Sequence, residues 1–257
     1  DDMCGKAAVR ILIAFASDHK KYIMTGAGNM LHMSINAVQL IVAYDLTRNL
    51  MSLEEEVDIL SYFIWLGDFI EKFVNAKGDN DEIHEGGCLA WISGRFPYIP
   101  VSERRMMRAY SVLTRQMNVI NDDGGWPESP NYAKQVIEAY LNHVVLFEKL
   151  GRSIAHEFGG HSIRMALDWL IRILTPSYHI PKLGDGIVQR PNPGIFLLGA
   201  YIYKGGRYLQ MALDLLECDN SVKISSMACL CYPTDILPAD FRNEESDILP
   251  HTGYLIL

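Results

Sequence analysis

Residues 122–132, with the sequence DDGGWPESPNY, carry the side chains best suited to chemistry on a sugar. The indole ring of Trp126 offers a flat platform for the apolar face of a pyranose, and the hydroxyl of Tyr132 can give or accept a proton. The remaining residues are typical of a helix–helix turn, in which Ser129 or Asn131 caps the next helix. Because a turn leaves both aromatic residues unexplained, composition alone leaves a sugar site and a structural turn equally open.

A second polar segment, GDNDEIHEGGCLAW at 78–91, leads into another predicted helix. Asn80 can cap that helix, and His84 and Glu85 would lie in its first turns. An acidic residue near a helix N-terminus is favourable on dipole grounds alone. Taken alone, this segment is interpreted as a helix cap, and the lone His251 near the chain end is interpreted as structural.

The spacing of histidines and cysteines does not indicate a metal site. In HEFGGH at 156–161, the two histidines are five residues apart, so in a helix the second would point about 140° away from the first. The two glycines between them also disfavour a helix. The five cysteines are Cys4, Cys88, Cys218, Cys229 and Cys231. Their spacing matches neither a disulfide framework nor a zinc motif, so buried free thiols are expected.

Composition excludes some classes of partner. The chain has 257 residues, of which 49% are hydrophobic and 21% charged, as in an ordinary globular protein. A net charge of −8 argues against nucleic acid as the main partner, although local Arg and Lys residues could line a cleft for a polyanionic sugar. No apolar run reaches the ~18 residues of a membrane span, so no membrane partner is expected. The N-terminal residues lack the basic-then-apolar order of a signal peptide.

Helical periodicity dominates the elements that must position these residues. In 53–74, apolar residues recur at spacings of three and four, and Ser52 with Glu55 forms a capping box at the start. Similar segments lie at 6–17, 30–48, 82–94, 102–119, 131–149, 160–174 and 194–217. The last segment is predicted to split at Gly205 and Gly206. Short loops between helices favour antiparallel hairpins, so an all-α stack or ring of helical hairpins is expected.

Two segments depart from the helical pattern. The connection 175–194 holds four prolines, and long loops in compact domains are often functional. Asp185 within it is interpreted as a turn residue. The end of the chain, HTGYLIL at 251–257, has the residue types of a β-strand.

These pieces together resemble the heparinase II/III-like family of polysaccharide lyases. The resemblance rests on DNDEIHEGGCLAWISGRFP, then DDGGWPESPNYAKQVIEAYL, IPKLGDG, GIFLLGAYIYKGGRYLQMAL and ILPHTGYLIL, in that order. It runs from about residue 30 to the end. It implies an incomplete (α/α) toroid over 1–248, followed at 249–257 by the first strand or linker of a truncated β-sandwich domain that would pack on the toroid. It also implies a periplasmic or secreted protein.

The resemblance further implies cleavage of a uronic-acid polysaccharide, such as heparin or heparan sulfate, by β-elimination. Asn80 matches the residue that neutralises the uronate carboxylate, with His84 as the alternative. Tyr132 matches the acid/base, and His251 matches a catalytic histidine near the sandwich junction. The loops that carry Asn80 and Tyr132 are expected to open on the same rim of the toroid.

The same matched stretches supply four residues expected to bind the acidic polysaccharide: Trp126, Glu128, Asn131 and Glu85. No cofactor and no metal are expected. Two other functions stay open. The chain could be a glycoside hydrolase on a helical toroid with Asp123 and Glu128 as its carboxylate pair, or a carbohydrate-binding scaffold without catalysis.

Overall fold

Helices make up nearly all of the regular structure, and the chain divides into two units, residues 1–113 and 114–257. The computed structural model describes the chain except for residues 1, 25–29, 75–79, 152–159, 185, 220, 222, 241–246, 253 and 257. The division falls within one helix, and each unit has a buried core of its own.

Five helices of the described part begin in the first unit: α1 (Asp2–Met24), α2 (Met30–Thr47), α3 (Leu53–Phe73), α4 (Asn80–Arg95) and α5 (Ser102–Met117). Helices α1 and α4 each pack against both α2 and α3. The rings of Tyr44, Phe63 and Phe96 meet in the core, with centroids 5.3 to 6.1 Å apart. This unit therefore buries apolar helix faces against one another, as the periodicity predicts.

The start of α3 confirms the predicted capping box. The Ser52 hydroxyl accepts the N–H of Glu55 at 3.2 Å, and the Glu55 carboxylate accepts the N–H of Ser52 at 2.7 Å. Two of the backbone donors left open at a helix start are thereby satisfied. The helix ends one residue before the predicted position, because Val74 takes up an extended conformation.

Helix α1 is much longer than the predicted segment 6–17. Its last seven residues, DHKKYIM, continue the helix to Met24. His19 in this segment is buried, and its Nδ1 lies 2.6 Å from the Tyr62 hydroxyl on α3. A long-range contact therefore supports a segment whose local sequence shows no apolar stripe.

The described part of the second unit holds five more helices and two strands. They are α6 (Pro130–Lys149), α7 (Gly160–Ile173), α8 (Pro193–Tyr203), α9 (Gly206–Cys218), α10 (Ser226–Leu230), β1 (Asp247–Leu249) and β2 (Tyr254–Ile256). Helix α6 packs against α7 and α8, and α8 packs against α9. The predicted split of 194–217 is confirmed, because Lys204 takes the left-handed conformation that ends α8.

The end of the chain forms an antiparallel hairpin. Asp247 pairs with Ile256, and Leu249 pairs with Tyr254. The strand character expected at 251–257 is thus found at Tyr254–Ile256, whereas its partner β1 has no clear signal in the sequence. The assignment of 249–257 to a separate β-sandwich domain stays a prediction.

The five cysteines are all free thiols, as expected. Cys88 and Cys231 are buried, but Cys4, Cys218 and Cys229 are exposed, so the predicted burial is wrong for these three. Among the helices described by the structure, none combines the length and the apolar character that crossing a membrane requires.

Candidate active site

The loop from α5 to α6 folds into a tight turn. The N–H of Gly124 donates to the carbonyl of Asn121 at 2.8 Å, and the N–H of Asn121 donates to the carbonyl of Gly125 at 2.8 Å. The turn predicted for this segment is therefore present. It brings the loop against α7 and against the turn between β1 and β2.

Gly124 and Gly125 make this close approach possible. Gly124 has φ +93°, and a Cβ at this residue would lie 2.2 Å from the carbonyl oxygen of Met165 on α7. A Cβ on Gly125 would lie 1.8 Å from Cγ2 of Thr252. Any larger side chain at these two positions would push the loop away from both neighbours.

Replacing Gly124 by alanine is expected to lower the free energy of unfolding by about 2–4 kcal/mol, because backbone strain adds to a steric clash. Gly151 provides a matched control, since it has φ +71° and a Cβ added to it would meet no atom within 4 Å among the described residues other than its chain neighbours. Gly151→Ala should therefore cost only the strain, about 1 kcal/mol. Urea unfolding of both variants measures the difference, and equal losses would contradict the close packing of Gly124.

Asp123 accepts four hydrogen bonds with its two carboxylate oxygens. Oδ1 accepts the N–H of Gly125 at 3.1 Å. Oδ2 accepts the N–H of His251 at 3.0 Å, the N–H of Thr252 at 2.8 Å and the Thr252 hydroxyl at 3.0 Å. Burial acts to raise the pKa of Asp123, but the hydrogen bonds from Thr252, Gly125 and His251 outweigh it and hold the pKa below its usual range.

This environment disfavours Asp123 as the general acid of a glycoside hydrolase. A hydrolase of that type needs one carboxyl group that keeps its proton near neutral pH and gives it to the leaving oxygen. Asp123 is held ionised, and both of its oxygens already bind the chain. It is therefore suited to a structural role rather than to that of the acid.

His251 lies beside the α5–α6 loop. Its backbone N–H is held by Asp123, and its ring Nε2 lies 3.9 Å from Oδ2 of Asp122. The Asp122 side chain is largely exposed to solvent, and that of His251 is half-exposed. The structure thus brings a sequence-predicted catalytic histidine to the loop from which α6 and Tyr132 begin.

Trp126 is not the exposed platform that the sequence suggests. Its side chain is 3% exposed, and its indole N–H donates to Oε2 of the exposed Glu128 at 2.8 Å. A ring buried in this way cannot offer a face to a sugar. What Trp126 provides in this structure is packing for the loop and a fixed partner for the Glu128 carboxylate.

Asn131 also differs from the expectation of direct substrate binding. Its amide Nδ2 donates to the carbonyl of Ile187 at 3.0 Å, and its Oδ1 accepts a hydrogen bond from Gln189. The side chain is buried. Asn131 therefore ties the first turn of α6 to the proline-rich connection, and sequence reasoning missed Ile187 and Gln189, its two partners.

Tyr132 lies in the first turn of α6. Its backbone N–H donates to the carbonyl of Ser129 at 3.0 Å, and its side chain is half-buried. Ser129 occupies the N-cap position, but its hydroxyl makes no capping hydrogen bond. The predicted cap by the Ser129 side chain is therefore wrong, and Pro130 at the first helical position starts the helix instead.

The other candidates lie on α4 in the first unit. Asn80 is the first residue of that helix, and its side chain lies outside the described residues. His84 is half-buried, and Glu85 is buried. Each unit carries part of the predicted set, so the expected meeting of Asn80 and Tyr132 on one rim stays a prediction.

His84 is expected to titrate far below an ordinary histidine, because burial lowers its pKa to about 4. The imidazole is then neutral at pH 7 and carries no positive charge for a uronate. In the unfolded chain this histidine binds its proton with the ordinary pKa of 6.5. The contribution of His84 to the free energy of unfolding is therefore fully present above pH 6.5 and is lost as the pH drops toward 4.

An NMR titration of the histidine ring resonances measures this midpoint, with His84→Gln as the variant that assigns the signal. In that variant the loss of stability between the two pH values should be smaller. A midpoint for His84 near 6.5 would contradict its burial.

Two sequence patterns fall partly outside the described residues. Residues 156–159 of HEFGGH and Asp185 of KLGDG lie outside the described residues. Within the part of the chain that the structure describes, no group of three or more His, Cys, Asp or Glu side chains could hold a metal ion.

Comparison with known proteins identifies the class of fold. A scan against models of protein families finds no match to the chain, and a search of curated proteins finds no similar sequence. Among solved structures, the chain is similar to a heparinase III, with a TM-score of 0.64 and 18% identity over 78% of this chain and 34% of that one. It is also similar to a heparan sulfate lyase from Pedobacter heparinus, with a TM-score of 0.62 and 18% identity over 85% of this chain and 36% of that one.

A further heparinase III structure gives a TM-score of 0.58 and 16% identity over 78% of this chain and 32% of that one. The chain therefore has the fold of heparinase-like polysaccharide lyases, and the predicted class, an all-α incomplete (α/α) toroid, is confirmed apart from the terminal hairpin. It spans about a third of the length of these structures.

Proposed function

We propose that this chain forms part of a polysaccharide lyase that cleaves a uronic-acid-containing polysaccharide of the heparin or heparan sulfate kind. The fold carries this proposal, since it is shared with a heparinase III and a heparan sulfate lyase. The arrangement within the second unit supports it, because one loop leads into Tyr132 and also holds the turn that carries His251.

The reaction is a β-elimination. A base removes the proton from C5, next to the uronate carboxylate, and negative charge of the enolate kind builds up on that carboxylate. The electron pair then forms the C4–C5 double bond, and the bond from C4 to the glycosidic oxygen breaks. A hydrogen-bond donor fixed beside the carboxylate would stabilise this charge, and Asn80 is the residue proposed for that role.

Two proton transfers remain. A tyrosine has an ordinary pKa near ~10, so in its neutral form it is better suited to donate a proton than to remove one. Tyr132 is therefore proposed as the acid that protonates the leaving oxygen. Histidine commonly serves as a general base, and His251 is proposed to accept the C5 proton.

The product distinguishes this function from its alternatives. The purified protein is incubated with heparin, heparan sulfate, hyaluronan, alginate and chondroitin, and the ultraviolet absorbance of the unsaturated uronate is followed. A lyase produces new absorbance together with new chain ends. New reducing ends without absorbance would indicate hydrolysis, and sugar binding without either signal would indicate a non-catalytic scaffold.

A further inference from the structure

The turn between β1 and β2 is held to the α5–α6 loop by a single carboxylate oxygen. Oδ2 of Asp123 accepts the backbone N–H groups of His251 and Thr252, at 3.0 and 2.8 Å, and the Thr252 hydroxyl at 3.0 Å. Three donors from two consecutive residues therefore converge on one atom. Neither residue is a sequence neighbour of Asp123, so this contact joins two distant parts of the second unit.

The surroundings of Thr252 fix the same geometry. The indole N–H of the buried Trp169 donates to the Thr252 hydroxyl at 3.4 Å. The Thr252 methyl group occupies the space that a Cβ on Gly125 would fill. The turn is thus clamped between α7 and the loop, and His251 directly precedes the clamped residue.

We propose that Asp123 is a positioning residue that holds His251 in place beside the loop leading to Tyr132, an inference that rests on the proposed function. The carboxylate contacts only the backbone of His251 and leaves the imidazole ring half-exposed to solvent. Asp123 therefore fixes the backbone position from which the imidazole extends, and it forms no hydrogen bond with either ring nitrogen. Asp122, which lies 3.9 Å from the ring, does not accept any of these three bonds.

A carboxylate is needed at this position because its oxygen must accept from three donors at once. Hydrogen bonds to an ionised acceptor are shorter and stronger than those between neutral groups. In Asp123→Asn, one of the two oxygens becomes an NH₂ group and the charge is lost. If the NH₂ group faces the turn, the three donors of the turn meet another donor and lose their acceptor. If it faces Gly125, it opposes that N–H, and the turn keeps only a neutral acceptor.

The test compares Asp123→Asn with Asp122→Asn, which makes the same charge change in the adjacent residue. Hydrogen exchange at the amides of His251 and Thr252 reports whether the turn is held. Exchange is expected to accelerate by about tenfold or more in Asp123→Asn, because bonds to a charged acceptor are lost, and to stay unchanged in Asp122→Asn. Thr252→Val and Thr252→Ser form a second pair, in which only serine keeps the hydroxyl donor.

The kinetic measurement separates positioning from mere stability. At a temperature where every variant is folded, kcat is expected to fall by about tenfold to a hundredfold in Asp123→Asn, because small misplacements of a reacting group are costly, while KM stays close to that of the parent. Thr252→Val should show part of this loss, and Thr252→Ser should restore it.

Three outcomes overturn the inference. Unchanged amide exchange in Asp123→Asn would show that the carboxylate does not hold the turn. Faster exchange with unchanged kcat would show that holding the turn does not position a reacting group. An absence of unsaturated product from the parent protein on any substrate would remove the proposed function, and faster exchange would then assign Asp123 a structural role alone.

Discussion

Replacing Tyr132 by phenylalanine is expected to lower kcat for uronate elimination by about 10²–10⁴-fold, the range that positioned proton transfer contributes. The substitution removes one hydroxyl group and keeps the ring that packs in the first turn of α6. Substrate affinity should change little, because the loss falls on the step in which the leaving oxygen takes up its proton. The rate of appearance of the unsaturated product, measured over a range of substrate concentrations, separates kcat from KM.

Tyr232→Phe is the matched control for this prediction. It removes the same hydroxyl group from an exposed tyrosine in the second unit, outside the candidate site. Its kcat should equal that of the parent protein. Full activity in Tyr132→Phe would show that another residue delivers the proton, and a loss in both variants would point to a general effect on the fold.

The sequence predicted those elements whose signals are local. The apolar spacing and the capping box of α3 lie within the segment itself, and the helix follows them to within one residue. The sequence predicts too short a helix α1, because the last seven residues of the helix gain support from the hydrogen bond between His19 and Tyr62, 43 residues away in the sequence. Local periodicity cannot reveal a helix that is extended by contacts with another element.

In the candidate site, too, the features with local signals follow from the sequence, whereas those that depend on long-range contacts do not. The turn chemistry of 122–132 was predicted correctly, since Gly, Pro and Asp act through their own backbone. The roles of individual side chains were not. The sequence predicts an exposed Trp126, yet packing buries it. It also offers Asp123 as a hydrolase carboxylate, yet three of the four hydrogen bonds to Asp123 come from residues 128 and 129 positions further along the chain. A partner at that separation leaves no trace in a single sequence.

In the first unit, the buried Arg105 joins α5 to α3. Its Nε donates to Oε2 of Glu71 at 3.0 Å, and its Nη2 pairs with Asp68. The exposed neighbour Arg104 binds the same Glu71, at 2.9 and 3.0 Å. Burial acts to raise the pKa of Glu71, but the hydrogen bonds from Arg104 and Arg105 lower it on balance, so the carboxylate is ionised at neutral pH.

Arg105→Ala is expected to lower the free energy of unfolding by about 3–5 kcal/mol, the range found when one partner of a buried ion pair is removed. The Arg105 side chain is only 1% exposed, so its removal leaves a cavity. It also removes one of the two arginine partners of the half-buried Glu71 carboxylate. Against a typical stability of about 5–15 kcal/mol, this loss is large. Urea unfolding followed by circular dichroism measures it.

Arg104→Ala separates burial from charge in this prediction. It removes the same positive charge from the same Glu71, but its side chain is 69% exposed. Exposed ion pairs contribute about 0–1 kcal/mol, so the variant should unfold close to the parent protein. Added salt should weaken the Arg104 contribution more than that of Arg105, because water and ions reach only the first. Equal losses in the two variants would mean that Arg105 stabilises α3 and α5 by charge alone, with no contribution from its burial.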